Sequence, residues 1–207
     1  TWPIRVRTCS SRCCMRTAIS AASCARAGDR KVKPKRAAAA VDLTIFNMLG
    51  PLANPAGVKR QVMGVFAPEW VEPIAHAMLA LGAERAMVMH GLDGMDEIST
   101  TGETLVADVK DGSVRIYSLT PESLGIPRAN LEQLRGGTVV ENAEALKRVL
   151  GGETGAFGDL VAVNAGAAIL VAGLADTLED GIAKARTSVA TGKAIAALEA
   201  LRRASNG

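Results

Sequence analysis

QVMGVFAPEWVEPIAHAMLALGAERAMVMH, residues 61–90, decides the fold of this chain. Its opening QVMGVF is a short apolar run with β-branched members and predicts a buried strand over 61–66. Trp70, Ile74, Met78 and Leu81 then recur at helical spacing behind Pro68 and Glu69, which predicts a helix over 69–81. RAMVMH predicts a second buried strand over 85–90. Beyond it, residues 103–110 and 113–119 flank Asp111-Gly112, a strong two-residue hairpin signal. Strand, helix, strand and hairpin make the fold class α/β, a mixed sheet flanked by helices.

Farther out the pattern is helical. Residues 141–150 place Leu146, Val149 and Leu150 on one face, and Gly151-Gly152 stops the helix. Residues 159–173 are apolar on nearly all sides and belong under other layers. Residues 176–204 predict one or two amphipathic helices, with Ile195, Leu198 and Leu201 inward and Lys193, Glu199, Arg202 and Arg203 toward water. No internal repeat is present.

Composition sets the outer limits. The 207 residues suffice for one sizeable domain, or a domain with an appendage, and are 48% hydrophobic, 22% charged and 3% aromatic. That excludes disorder for most of the chain. The longest apolar stretch, residues 160–175, is interrupted by Asn164, Gly166 and Gly173 and falls short of the ~20 residues of a membrane span, so a buried helix is expected and no membrane partner. No uninterrupted apolar h-region of a signal peptide occurs in residues 1–42.

The net charge of +3 conceals two compositions: residues 1–42 carry ten Lys/Arg and two Asp, a balance of +8, against −5 for the remaining 165 residues. All four cysteines, Cys9, Cys13, Cys14 and Cys24, lie in that first segment. Their spacing fits no usual zinc pattern and no histidine is nearby. Arg7, Arg12, Arg16 and the basic run at 30–36 could neutralise phosphates, but Trp2 alone is available for stacking, so nucleic acid is not the expected partner. The segment has no apolar period, and residues 1–42 read as a basic, cysteine-containing arm, disordered or translated out of frame, ahead of a patterned domain over 43–207. Free cysteines without a framework suit a reducing, cytoplasmic setting.

Two stretches could carry chemistry. The loop GLDGMDEIST, residues 91–100, follows the second strand, where ligands of α/β sheets collect. It holds Asp93, and its adjacent Asp96 and Glu97 offer two hard oxygen donors, which suits Mg²⁺ completing its shell with water and phosphate; a solvated acidic loop has the same spacing. LTIFNMLGPLANPAG, residues 43–57, forces irregular backbone at Gly50-Pro51 and Asn54-Pro55 while demanding burial of its apolar members, so it either walls a flat organic substrate or serves as a rigid connector. His76 and His90 are expected as packed or solvated residues rather than catalysts. Gly136-Gly137 ahead of Glu141-Asn142 reads as a turn and helix start, open either to an anion or to a plain cap. There is no P-loop, and no G-x-G-x-x-G follows a strand.

TIFNMLGPLANPAG (44–57), QVMGVF (61–66), HGLDGMDEIST (90–100), GGTVVENAEALKRVLGG (136–152) and VNAGAAILVAG (163–173), in this order and spacing, resemble the C-terminal part of the anthranilate phosphoribosyltransferase family. The likeness runs from about 44 to 204. It implies a large α/β domain of the type shared with nucleoside phosphorylases, in a family that adds a small helical domain and dimerises through it. The implied reaction joins anthranilate to phosphoribosyl pyrophosphate, with Mg²⁺ as cofactor. Asp96 and Glu97 match the family's Mg²⁺-binding pair, and Gly50 and Pro51 match its GP step beside the anthranilate channel.

The departures are equally specific. The family's GTGGD loop, N-x-S-T segment and K-H-G-N-R segment do not occur in these residues, and its two arginines around GIRTIFN are Ala37 and Leu43 here, with Arg36 one step off. The helical domain is expected to be missing. The alternatives are therefore a catalytically inactive fragment or pseudoenzyme of the family and, further off, nucleic-acid binding through the basic arm.

Overall fold

The computed structural model describes residues 50–54 and 56–206. The readings made on residues 1–49, including the cysteines, the basic run and the junction near 43, lie outside the described residues. Four strands form one sheet in the order β1-β2-β3-β4: β1 (Arg60–Gly64), β2 (Arg85–Gly91), β3 (Thr104–Lys110) and β4 (Ser113–Leu119). β1 and β2 are parallel, with Arg60 opposite Arg85 and Gly64 opposite Met89. β3 runs antiparallel to β2, and β4 to β3. The sheet is therefore mixed. β1 and β2 end on the same rim, where β3 begins with Thr104 opposite Gly91.

Successive side chains of these strands enter two different cores, which is why the runs read as continuously apolar. Val62, Met87, Met89 and Val106 face α3 (Ala156–Val171), whereas Met63, Val88, Ala107 and Val109 face α1 (Val71–Ala80). β4 is largely exposed. At the hairpin tip, Asp111 (φ 51°) and Gly112 (φ 75°) are both left-handed between the paired Lys110 and Ser113, as a two-residue turn of the favoured hand requires.

Two sequence expectations shift at the ends of α1. Pro68 opens a 3-10 turn over Pro68–Trp70, so the α-helix proper starts at Val71. Leu81 is not on the buried face: it caps the helix and is 62% exposed, because the apolar period outruns the last hydrogen-bonded turn. Val71, Ile74, Ala75 and Met78 make the contact instead.

The remaining helices are α2 (Val139–Leu150), α3 (Ala156–Val171), α4 (Leu178–Ala190) and α5 (Lys193–Asn206). α2 starts two residues before the predicted 141 because Thr138 and Glu141 cap it reciprocally: the Thr138 hydroxyl accepts from the Glu141 N–H, and the Glu141 carboxylate accepts from the Thr138 N–H at 2.6 Å. α3 covers one sheet face and α4 packs on α3. Their approach is close: a methyl on Gly166 would lie 2.7 Å from the Ile182 nitrogen, and one on Gly181 would collide with the Gly166 carbonyl. Gly192 (φ 74°) separates α4 from α5, so the tail is two helices. On α5, Ile195 and Leu198 are half-buried, but Leu201, expected inward, is exposed. Among the described residues no helix is long and apolar enough to cross a membrane.

Candidate functional site

The loop between β2 and β3 stands on the rim where both parallel strands end. Its geometry begins with backbone bonds. The Gly91 N–H donates to Met95 O at 2.8 Å, Gly94 N–H to Gly91 O at 2.9 Å, and Leu92 N–H to Glu103 O at 2.8 Å. Gly94 takes φ 97°, a conformation that a side chain would strain.

Asp93 is the hub of this turn. Its carboxylate accepts from the Met95 N–H at 3.1 Å and from the hydroxyls of Ser99 and Thr101. Ser99 Oγ in turn accepts from the Thr101 N–H at 2.9 Å and the Gly102 N–H at 3.2 Å. Burial pushes the Asp93 carboxyl up, but these hydrogen bonds outweigh it and hold the group below its ordinary value. Asp93 therefore shapes the loop with oxygens that are already engaged.

Asp96 and Glu97 are placed differently. Asp96 is exposed, and its carbonyl lies where a side chain on Gly64 would be, so the loop rests on the last residue of β1. Glu97 is half-buried and has no hydrogen-bond or ion-pair partner among the described residues. Burial first, then the negative charges of Asp96 and Asp93, raise its carboxyl to about 7. A half-buried carboxylate that feels the charge of two others, with no counter-charge among the described residues, fits a hard divalent cation. Among the described residues no three His, Cys, Asp or Glu side chains converge to hold a metal. An adjacent pair of carboxylates is a donor set that suits Mg²⁺ bringing its own water and phosphate oxygens.

The residue after the pair, Ile98, is 1% exposed and belongs to the core beneath α3. Its backbone is held by Asn164 of α3: the Ile98 N–H donates to Asn164 Oδ1 at 2.9 Å, and Asn164 Nδ2 donates to Ile98 O at 3.0 Å. The sequence marks Asn164 only as an interruption of an apolar stretch. A polar side chain inside such a helix needs partners, and that is the signal that could have singled it out.

Gly50 and Pro51 are not brought to this rim. The Pro51 carbonyl accepts from Gln61 Nε2 at 3.5 Å, at the entry of β1. Pro51, Leu52 and Asn54 line a cavity of about 180 Å³ there, together with Gln61, Met78 and Leu81. Gly64, which touches Asp96, lies three residues along the strand, roughly 10 Å away. His90 is buried and its Nδ1 donates to the Val65 carbonyl at 2.8 Å, which ties the β1 exit to β2. His76 is exposed and pairs with Glu72 at 3.7 Å. Thr138 and Asn142 use the amide groups at the start of α2, so that terminus is a cap.

Residues 16–195 match the glycosyl transferase family, a/b domain, a match that opens within the segment 1–42. The chain is similar to the anthranilate phosphoribosyltransferase of Parvibaculum lavamentivorans, 50% identical over 178 residues, covering 86% of this chain and 52% of that protein. It is also similar to that of Caulobacter vibrioides, 56% identical over 163 residues, covering 79% and 48%. The chain thus spans about half the length of the curated relatives it matches. Among solved structures, the anthranilate phosphoribosyltransferase from Thermus thermophilus superposes with a TM-score of 0.69 at 48% identity, covering 75% of this chain and 46% of that one. The Saccharomyces cerevisiae protein in complex with PRPP and Mg gives a TM-score of 0.67 at 27% identity, covering 75% and 45%.

Proposed function

The chain belongs to the glycosyl transferase family, among the anthranilate phosphoribosyltransferases, and from that premise we propose that it carries the cation-binding part of a site that transfers a phosphoribosyl group from phosphoribosyl pyrophosphate to anthranilate. In that reaction the amine nitrogen bonds to C1′, the bond from C1′ to the diphosphate oxygen breaks, pyrophosphate leaves, and the nitrogen sheds a proton to solvent. The observation that carries the reading is Glu97: a half-buried carboxylate with no partner among the described residues, beside Asp96, on the rim where the parallel strands end. Asp96 and Glu97 would hold Mg²⁺. When bound, the ion supplies positive charge to the departing diphosphate.

The chain's own residues prepare that position. Asp93, Ser99 and Thr101 close the turn, so the loop is ordered before a ligand arrives and ordering entropy is not lost on binding. Gly64 admits the Asp96 carbonyl, and Ile98 roots the pair in the core. The complex of the yeast relative with PRPP and Mg supports the choice of ligand.

Pro51 lies at the entry of β1 and the acidic loop at its exit, and a second reading is that the chain binds the cation and diphosphate but does not turn over. Calorimetric titration of phosphoribosyl pyrophosphate with Mg²⁺, beside an anthranilate fluorescence assay, separates the two. Both readings require binding to the unmodified chain that Glu97→Gln weakens at least tenfold. Equal binding by Glu97→Gln, or none by the unmodified chain, overturns both. Loss of anthranilate fluorescence with turnover selects the enzyme.

A further inference from the structure

Asn164 is the one polar side chain among the buried residues of α3. It makes three hydrogen bonds: Oδ1 accepts from the Ile98 N–H at 2.9 Å, and Nδ2 donates to Ile98 O and to Leu160 O, each at 3.0 Å. A flipped amide would face N–H with N–H and carbonyl with carbonyl at all three contacts, so the orientation is unambiguous. The Ile98 N–H belongs to the peptide whose carbonyl is that of Glu97. Fixing that peptide plane fixes one side of the Glu97 Cα; with the preceding plane, which carries the Asp96 carbonyl, it sets the direction in which the Cα–Cβ bond of Glu97 leaves the backbone. From the other side, the Asp96 carbonyl is pressed against Gly64, and next to Ile98 the Ser99 N–H is bonded to Thr104 Oγ1 at 2.9 Å. The backbone of Glu97 is therefore clamped between β1 and α3.

We infer that Asn164 is a positioning residue: by holding both backbone groups of Ile98 from 66 residues away, it aims the Glu97 carboxylate so that one divalent cation is shared with Asp96. The inference rests on the cation reading of the Asp96–Glu97 pair, and it concerns binding of the ion itself, whether or not the chain turns over.

The probe is Mn²⁺ alone, titrated by electron paramagnetic resonance into the full chain, below the melting temperature of every variant. Asn164→Ala is compared with Leu170→Ala, which thins the same core and removes no hydrogen bond to Ile98. Asn164→Ala is expected to weaken Mn²⁺ about tenfold, the usual effect of removing a residue that orients a ligand, while Leu170→Ala stays within twofold of the unmodified chain. Equal weakening by both, or Mn²⁺ affinity unchanged in folded Asn164→Ala, overturns the role of Asn164. No Mn²⁺ binding to the unmodified chain, or binding indifferent to Glu97→Gln, overturns the cation reading and this inference with it. If Asn164→Ala does not fold, amide exchange in the unmodified chain decides. Ile98 N–H should exchange with the core; exchange as fast as at the exposed Asp96 overturns the clamp.

Discussion

The carbonyl of Asp96 occupies the space that a side chain on Gly64 would need, so the acidic loop and the end of β1 meet backbone to backbone. Gly64→Ala should force the loop off the rim, since neither partner is a flexible side chain that can swing aside. The expected cost is about 1–3 kcal/mol, the usual penalty for overpacking. Urea denaturation should show it, and the variant should bind Mn²⁺ more weakly than the unmodified chain. A variant that keeps both stability and Mn²⁺ affinity would show that the contact is slack.

Glu97 gives a pH signature with a definite sign. Its carboxyl is raised from 4.5 to about 7 in the folded chain. Between those values the folded state keeps a proton that the unfolded state has released, so stability falls as pH rises through that window and levels off above it. The loss should be on the order of 2 kcal/mol once solvent screening of a half-buried group is allowed for. Thermal melts of the metal-free chain against pH should show this decline, Glu97→Gln should flatten it, and Mg²⁺ should restore stability on the alkaline side. A melting temperature that does not respond to Glu97→Gln anywhere in the window contradicts the assignment.

Asp93 behaves in the opposite way. Its carboxyl is held low by hydrogen bonds from Ser99, Thr101 and Met95 against the push of burial, so its contribution is present above the unfolded value of 3.8 and is lost as pH falls. Asp93→Ala strands two hydroxyls and a backbone N–H, and should cost about 1–3 kcal/mol at neutral pH. The loop amides 94–102 should lose exchange protection while the sheet keeps its own.

At the α3–α4 contact two glycine effects compete. Replacing a helical glycine by alanine ordinarily gains up to about 1 kcal/mol. At Gly181 the added methyl meets the Gly166 carbonyl, which is backbone and cannot rotate away. Overpacking wins, and Gly181→Ala should be net destabilising by about 1–2 kcal/mol in a denaturant titration.

Much of the sheet was legible because its signals are local. Val62 and Met63, or Met87 and Val88, point to opposite cores in β-branched and apolar runs, and Asp111-Gly112 specifies its own turn. Leu81 misled because the apolar period continues past the last hydrogen-bonded turn of α1, and Leu201 because α5 leaves that position exposed although the helix runs on to Asn206. Asp96 and Glu97 were legible as a pair because chain adjacency supplies their proximity. Their support was not. The bonds of Asn164 to Ile98 span 66 residues, and a helical amide carries no sign of its target. Likewise nothing within GPLAN indicates that Pro51 docks at the entry of β1 rather than its exit.

The Asp111-Gly112 tip has a practical use. β3 runs from the acidic rim at Thr104 to Lys110, about 20 Å at the usual rise of a strand, and the tip beyond it is exposed. A spectroscopic label or short tag inserted there would sit on the far side of the molecule. It would test for metal uptake through changes relayed by the frame without intruding on the proposed Asp96–Glu97 pair.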